Sequence, residues 1–178
     1  MLRLVKWHMC LRWAVIPAVI FSIAVFFYID KADYSLSWIL FLGSILFFFC
    51  IAIFTVVAGN KKGMGDTIGS LVFASYLTTV FAILLCLAGC IILLYFMEPG
   101  FISTGPVNKL LKNEPPAAII DKTNGMVFNI FMTAVVVNFS GGSLVGILIP
   151  FYVTKIKTSS NWQNLVLKKN IFLSLKNK

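Results

Sequence analysis

Four apolar stretches dominate this chain: about Trp13–Ile29, Trp38–Ala58, Thr67–Met97 and Gly125–Thr154, none of which contains Asp, Glu, Lys, Arg or His. A helix that crosses a bilayer needs about 20 predominantly apolar residues. In lipid, every backbone N–H and C=O must be satisfied within the segment or around a closed barrel. Runs of this length without polar alternation satisfy the first condition and not the second. They predict an all-α polytopic membrane protein, a four-transmembrane-helix bundle. The bundle would occupy residues 1–157, with residues 158–178 forming a separate basic amphipathic tail.

Composition agrees with that reading. Of 178 residues, 12% are charged and 60% hydrophobic, whereas soluble domains carry roughly a quarter charged residues. The formal net charge is +9. In a soluble chain such an excess points toward nucleic acid. Here the charges flank the apolar spans, so no nucleic-acid partner is expected. The expected counter-charge is the anionic inner leaflet of a membrane.

The distribution of positive charge predicts orientation. Arg3, Lys6, Arg12, Lys61, Lys62, Lys155, Lys157, Lys168, Lys169, Lys176 and Lys178 fall on one side of the four spans. Lys31, Lys109, Lys112 and Lys122 fall on the other. The side rich in Lys and Arg stays cytoplasmic, which puts both termini there. The first span reads as a retained signal anchor, because Asp30-Lys31-Ala32-Asp33 offers no small-residue cleavage site. The third stretch exceeds one perpendicular crossing and is expected to tilt or to project from the membrane.

The connections differ in kind. Asp30 to Ser37 is a short outside loop, and Gly59 to Gly65 is a tight inside turn, after which Asp66 or Thr67 should cap the third helix. Glu98 to Asn124 is a long outside loop with Pro99, Pro106, Pro115 and Pro116. Within it, residues 107–112 fit one or two helical turns, and the loop reads as a lid or as a binding loop. In the tail, Trp162, Leu165, Ile171 and Phe172 alternate with Lys168 and Lys169. With Lys155 and Lys157, these lysines would hold an interfacial helix on an anionic leaflet, or dock it on a partner.

Several chemistries are excluded by what the spans lack. Proton relays, ion-coupled transport and voltage sensing need charge at membrane depth. Zinc-dependent proteolysis needs paired histidines with an acid. His8 is the sole histidine, so bis-histidine haem ligation is ruled out as well. No catalytic residue, metal site or cofactor is expected. A lipid-modifying enzyme would have to use His8 with Asp66, near the inner interface, or Glu98 on the other side. Cys10, Cys50, Cys86 and Cys90 form no framework of outside pairs and read as small packing residues.

Two groups of small and polar residues remain. Gly65 and Gly69 are four apart at the start of the third span, and Ala74, Thr78, Ala82, Cys86 and Cys90 continue the same step. That stripe predicts a close helix contact within the chain or with another subunit. Asn138, Ser140, Gly141, Gly142, Ser143 and Gly146 lie in the fourth span. Either the small residues admit a neighbouring helix, with Asn138 bonding across the contact, or the glycines break the helix and open a ligand cavity.

The chain resembles a family of small four-helix bacterial inner-membrane proteins of no assigned function. The likeness lies in the basic turn Gly59-Asn60-Lys61-Lys62-Gly63 and the polar start Gly65-Asp66-Thr67-Ile68-Gly69. It continues in Glu98-Pro99-Gly100-Phe101-Ile102 and in the ending Gly146-Ile147-Leu148-Ile149-Pro150 before Lys155-Ile156-Lys157. It covers residues 13–157 and departs at Asn138–Ser143. The resemblance implies the topology and a bacterial inner membrane, and supplies no catalytic residue. Three functions remain in view: a non-enzymatic subunit packing against other membrane proteins or itself, an oligomeric carrier or channel for a neutral or lipid-like solute, and a lipid-modifying enzyme.

Overall fold

The computed structural model describes residues 6–61, 67–97, 112–113 and 125–156. The long third connection apart from Lys112 and Asn113, the inner turn from Lys62 to Asp66, and the basic tail lie outside the described residues. The chain folds as an all-α bundle of four helices: α1 (Trp7–Lys31), α2 (Trp38–Gly59), α3 (Ile68–Met97) and α4 (Met126–Ile156). Each is long and apolar enough to cross a membrane. A 3-10 turn (Tyr34–Leu36) leads into α2, and α4 contains a π-helical segment (Thr133–Val137).

The helix ends follow local chemistry. Thr67 caps α3, its Oγ1 accepting from the Ser70 N–H at 3.2 Å, so one orphan donor of the first turn is satisfied. α1 stops where Ala32 takes a left-handed conformation (φ 47°) and its N–H bonds the Tyr28 carbonyl. α1 also begins earlier than the apolar run, at Trp7, which brings His8 and Arg12 into the helix. The run marks where lipid would surround the helix; the hydrogen-bond ladder itself continues beyond that run.

The core is built on α1 and α3, the most extensively packed pair. Phe21, Val25 and Tyr28 of α1 bury against Phe47 and Ile51 of α2 and against Ala82, Cys86 and Cys90 of α3. Ala74, Thr78, Ala82, Cys86 and Cys90 are all fully buried, so this part of the small-residue stripe lies inside the chain. A second cluster at the other end joins Cys10, Phe54, Ala58, Leu71 and Ala74. α4 packs on α2 and α3. Outside, large apolar side chains such as Phe49, Leu84, Phe96 and Leu148 are exposed on every helix, which suits lipid as the solvent and would be unfavourable in water.

One piece of the long connection is fixed. Lys112 pairs with Asp33 in a parallel bridge, its N–H bonding the Ala32 carbonyl at 3.0 Å and its carbonyl accepting from Tyr34 at 2.9 Å. Lys112, expected to end a short helix, is therefore extended at this contact. Backbone pairing with the first loop satisfies groups that an isolated helical turn would leave free.

Candidate polar site in the bundle interior

α4 meets its neighbours through glycines, and these contacts set the register of the bundle. A Cβ on Gly142 would lie 2.6 Å from Thr79 Cγ2, and one on Gly146 would lie 3.4 Å from Ser75 Cβ. Advancing four residues along α4 thus retreats four along α3, as antiparallel helices must. Toward α2, Gly142 faces Phe47 and Val153 faces Gly59. Eleven steps along α4 match twelve along α2, so these two helices run parallel. That register puts Ser44 of α2 level with Asn138 of α4, one helical turn before the Phe47–Gly142 contact.

Polar side chains in the interior are satisfied at both ends of the bundle. At the end near Lys61, Thr55 and Ser75 share a hydrogen bond of 2.8 Å. Thr55, Ser75, Thr78 and Thr79 each bond the carbonyl four residues back, at 2.8 to 3.0 Å. Near the first loop, Asn129 donates to the Tyr28 hydroxyl at 3.3 Å, which in turn meets Ser37 Oγ at 3.4 Å. Thr133 bonds the Asn129 carbonyl at 2.8 Å.

The middle is different. Asn138 is completely buried, and neither its carboxamide oxygen nor its nitrogen has a hydrogen-bond partner among the described residues. The buried hydroxyls of Ser44 and Ser143 are also unpartnered. A serine hydroxyl can satisfy itself on its own helix, as Ser75 does; an asparagine amide has no such outlet of equal quality. Burying an amide without partners costs on the order of 1–3 kcal/mol. Asn138 therefore has donors and an acceptor committed to nothing among the described residues.

Its backbone is also unusual. The Asn138 N–H bonds the Thr133 carbonyl, five residues back, and so closes the π-segment. Single π-turns recur at functional positions because they redirect a side chain without ending the helix. The glycines do not break α4, since residues 138–150 are α-helical throughout. Gly141 and Gly142 instead admit the rings of Phe48 and Phe47. Pro150 is tolerated in the interior, with Thr154 bonding its carbonyl at 2.8 Å.

The residues expected at this site separate on inspection. Asn138, Gly142 and Gly146 are buried, and Gly141 and Ser143 are partly so, while Ser140 is exposed on the outer face. Gly69 is exposed as well, and Gly65 lies outside the described residues. Lys155 is exposed at the end of α4; Lys157, Lys168 and Lys169 lie outside the described residues. Sequence reasoning missed Ser44, whose only signal was a Gly43-Ser44 pair in an otherwise bulky span. No group of three or more His, Cys, Asp and Glu residues fit to hold a metal occurs among the described residues. No family model, no curated protein and no solved structure matches this chain.

Proposed function

We propose that this protein binds a small neutral hydrogen-bonding solute within the membrane, at Asn138, and serves as a carrier or channel for it. The observation that carries the reading is the fully buried Asn138 carboxamide, unpartnered among the described residues, with unpartnered hydroxyls on Ser44 of α2 and Ser143 of its own helix. One donor-and-acceptor amide with two hydroxyls matches a hydroxyl- or amide-bearing molecule, water included. A charged solute would need a counter-charge at that depth, and the spans supply none.

The test is solute entry into proteoliposomes, read by light scattering with water, glycerol and urea in turn. Entry of one of them above protein-free vesicles, lost in Asn138→Leu and kept in Ser140→Ala, supports the reading. Equal entry with and without protein for all three removes it. We take both termini as cytoplasmic from the Lys and Arg asymmetry, and a bacterial inner membrane from the family resemblance. Reporter fusions at each end test the former.

A second reading, a subunit of a larger membrane assembly, rests on a separate feature. Between α1 and α3 the surface holds an apolar furrow of about 570 Å³, lined by Ala18, Ser22, Phe26, Leu85, Ala88 and Gly89. Small residues there bring the backbone near the surface, as close helix association requires. Filling the furrow with Ala88→Trp should release a co-purifying membrane partner if this reading holds, and should leave solute entry unchanged.

A further inference from the structure

At the end of the bundle where α1 begins, the helix runs on past its apolar stretch, from Trp7 through Arg12. His8 and Arg12 are four residues apart and so share a helical face. α2 runs antiparallel to α1 and ends at Gly59, which delivers Lys61 to the same end. Lys6, Trp7, His8, Arg12, Trp13 and Lys61 together line a cleft of about 650 Å³. Lys6, Arg12 and Lys61 are exposed, and none of the described carboxylates pairs with them. Three like charges around one cleft repel each other unless an anion lies between them.

The cleft has a second character. Trp13 stacks obliquely on Phe54, ring centroids 6.0 Å apart, and Trp7 on Phe81 at 6.2 Å. The indoles therefore join a cationic opening directly to the apolar side of the bundle. Tryptophan favours this depth, with its ring body in hydrocarbon and its N–H toward headgroups. A soluble anion would use the cations and leave the indole floor unused. An amphiphile with a negative head and an apolar body uses both.

We propose that this cleft binds the phosphate headgroup of an anionic phospholipid, with Lys6, Arg12 and Lys61 around the phosphate and Trp7 and Trp13 against the glycerol and upper acyl chains. Arg12 offers two parallel donors to phosphate oxygens, and the lysines act as point charges. The site is independent of Asn138 and stands or falls apart from the solute-binding reading.

The test is native mass spectrometry of the full chain in detergent, after delipidation, titrated with dioleoyl phosphatidylglycerol or dioleoyl phosphatidylcholine. The expected result is a saturable single phosphatidylglycerol adduct, favoured over phosphatidylcholine. Lys6→Gln, Arg12→Gln and Lys61→Gln combined should weaken it by about tenfold or more. Lys168→Gln with Lys169→Gln should leave it in place. The three cleft side chains are exposed, and an unchanged melting temperature of the triple variant verifies its fold. Equal retention of both lipids would overturn the proposal, as would loss only in the tail variant. So would displacement by millimolar inorganic phosphate, which would mark the cleft as a site for soluble phosphate.

Discussion

Thr79 Cγ2 stands only 2.6 Å from where the Cβ of any side chain on Gly142 would begin. α3 and α4 approach so closely there that the contact is made by a methyl group against bare backbone. Gly142→Leu should therefore destabilise the bundle by about 1–3 kcal/mol, the usual range for overpacking, and lower its melting temperature in detergent. Gly69→Ala, on an exposed face of α3, should be neutral or slightly stabilising, since alanine is the better helix former. A large loss from Gly69→Ala would mean that a second molecule covers that face.

Asn138→Leu replaces an unpartnered buried amide with a side chain of similar size. The variant should melt higher than the parent, by about 1–3 kcal/mol in stability. A site kept polar at the expense of stability is the expected pattern for function. A lower melting temperature would instead show that water or lipid already satisfies Asn138.

The first and third connections are tied by a carboxylate. Asn113 Nδ2 lies 3.1 Å from both Asp33 oxygens. The Ser35 hydroxyl and then the Ser35 amide, with Asn113 behind them, hold the Asp33 carboxyl below its ordinary range. A lowered folded-state value means that this tie contributes fully above the usual carboxylate range and is lost as pH falls through the depressed value. The protection factors of the Tyr34 and Lys112 amides, which carry the two backbone bonds of the bridge, should fall in acid, measured against the slower intrinsic exchange there. Asp33→Ala should lower them likewise at neutral pH, and no change in either condition would sever the link between carboxylate and bridge.

Thr55 and Ser75 share a side-chain bond of 2.8 Å between α2 and α3. Each hydroxyl also lies within bonding distance of a carbonyl on its own helix, so two protons are shared among three contacts and neither hydroxyl relies on the other alone. A double-mutant cycle of Thr55→Val and Ser75→Ala should give a coupling of about 0.6 kcal/mol, typical of such bonds inside membrane bundles. A coupling several times larger would mark this pair as a hinge of the bundle's stability.

The four helices were legible because the lipid requirement acts on whole segments, and average apolarity over twenty residues is robust to local error. Thr67 as a cap was legible for the opposite reason, being a purely local bond. The inner polar site was visible only in part. Asn138 stood out within the polar and small-residue stretch of the fourth span, but its lack of partners among the described residues depends on how the other helices are set against α4, which the stretch itself does not reveal. Ser140 and Ser143 look alike in sequence; their separation, one outward and one inward, follows from helical phase downstream of the π-segment. Nothing in the composition of Thr133–Val137 announces that segment. The basic cleft escaped notice because Lys61 is distant from Arg12 in sequence, and only the antiparallel packing of α1 and α2 joins them.

The π-segment also sets which length changes the fourth helix can accept. Met126, Ile130, Ala134, Asn138, Gly142, Gly146 and Pro150 are all buried at steps of four, whereas an unbroken α-helix drifts about 40° at each such step. One surplus residue per turn absorbs part of that drift. Deleting a single residue between 133 and 137 would restore regular winding and leave Asn129 and Asn138 in the same relation, whereas regular α-helix of unchanged length would turn Asn129 by about 100° relative to Asn138. In that regular helix the Asn129–Tyr28 contact and the inward setting of Asn138 would not coexist. The surplus residue is what lets one helix turn both amides toward the interior. A one-residue deletion is thus absorbed at this segment, while one between Asn138 and Gly142 would turn the amide away from the glycine face. Related chains that keep the site should differ in length by one residue here and nowhere else in the helix.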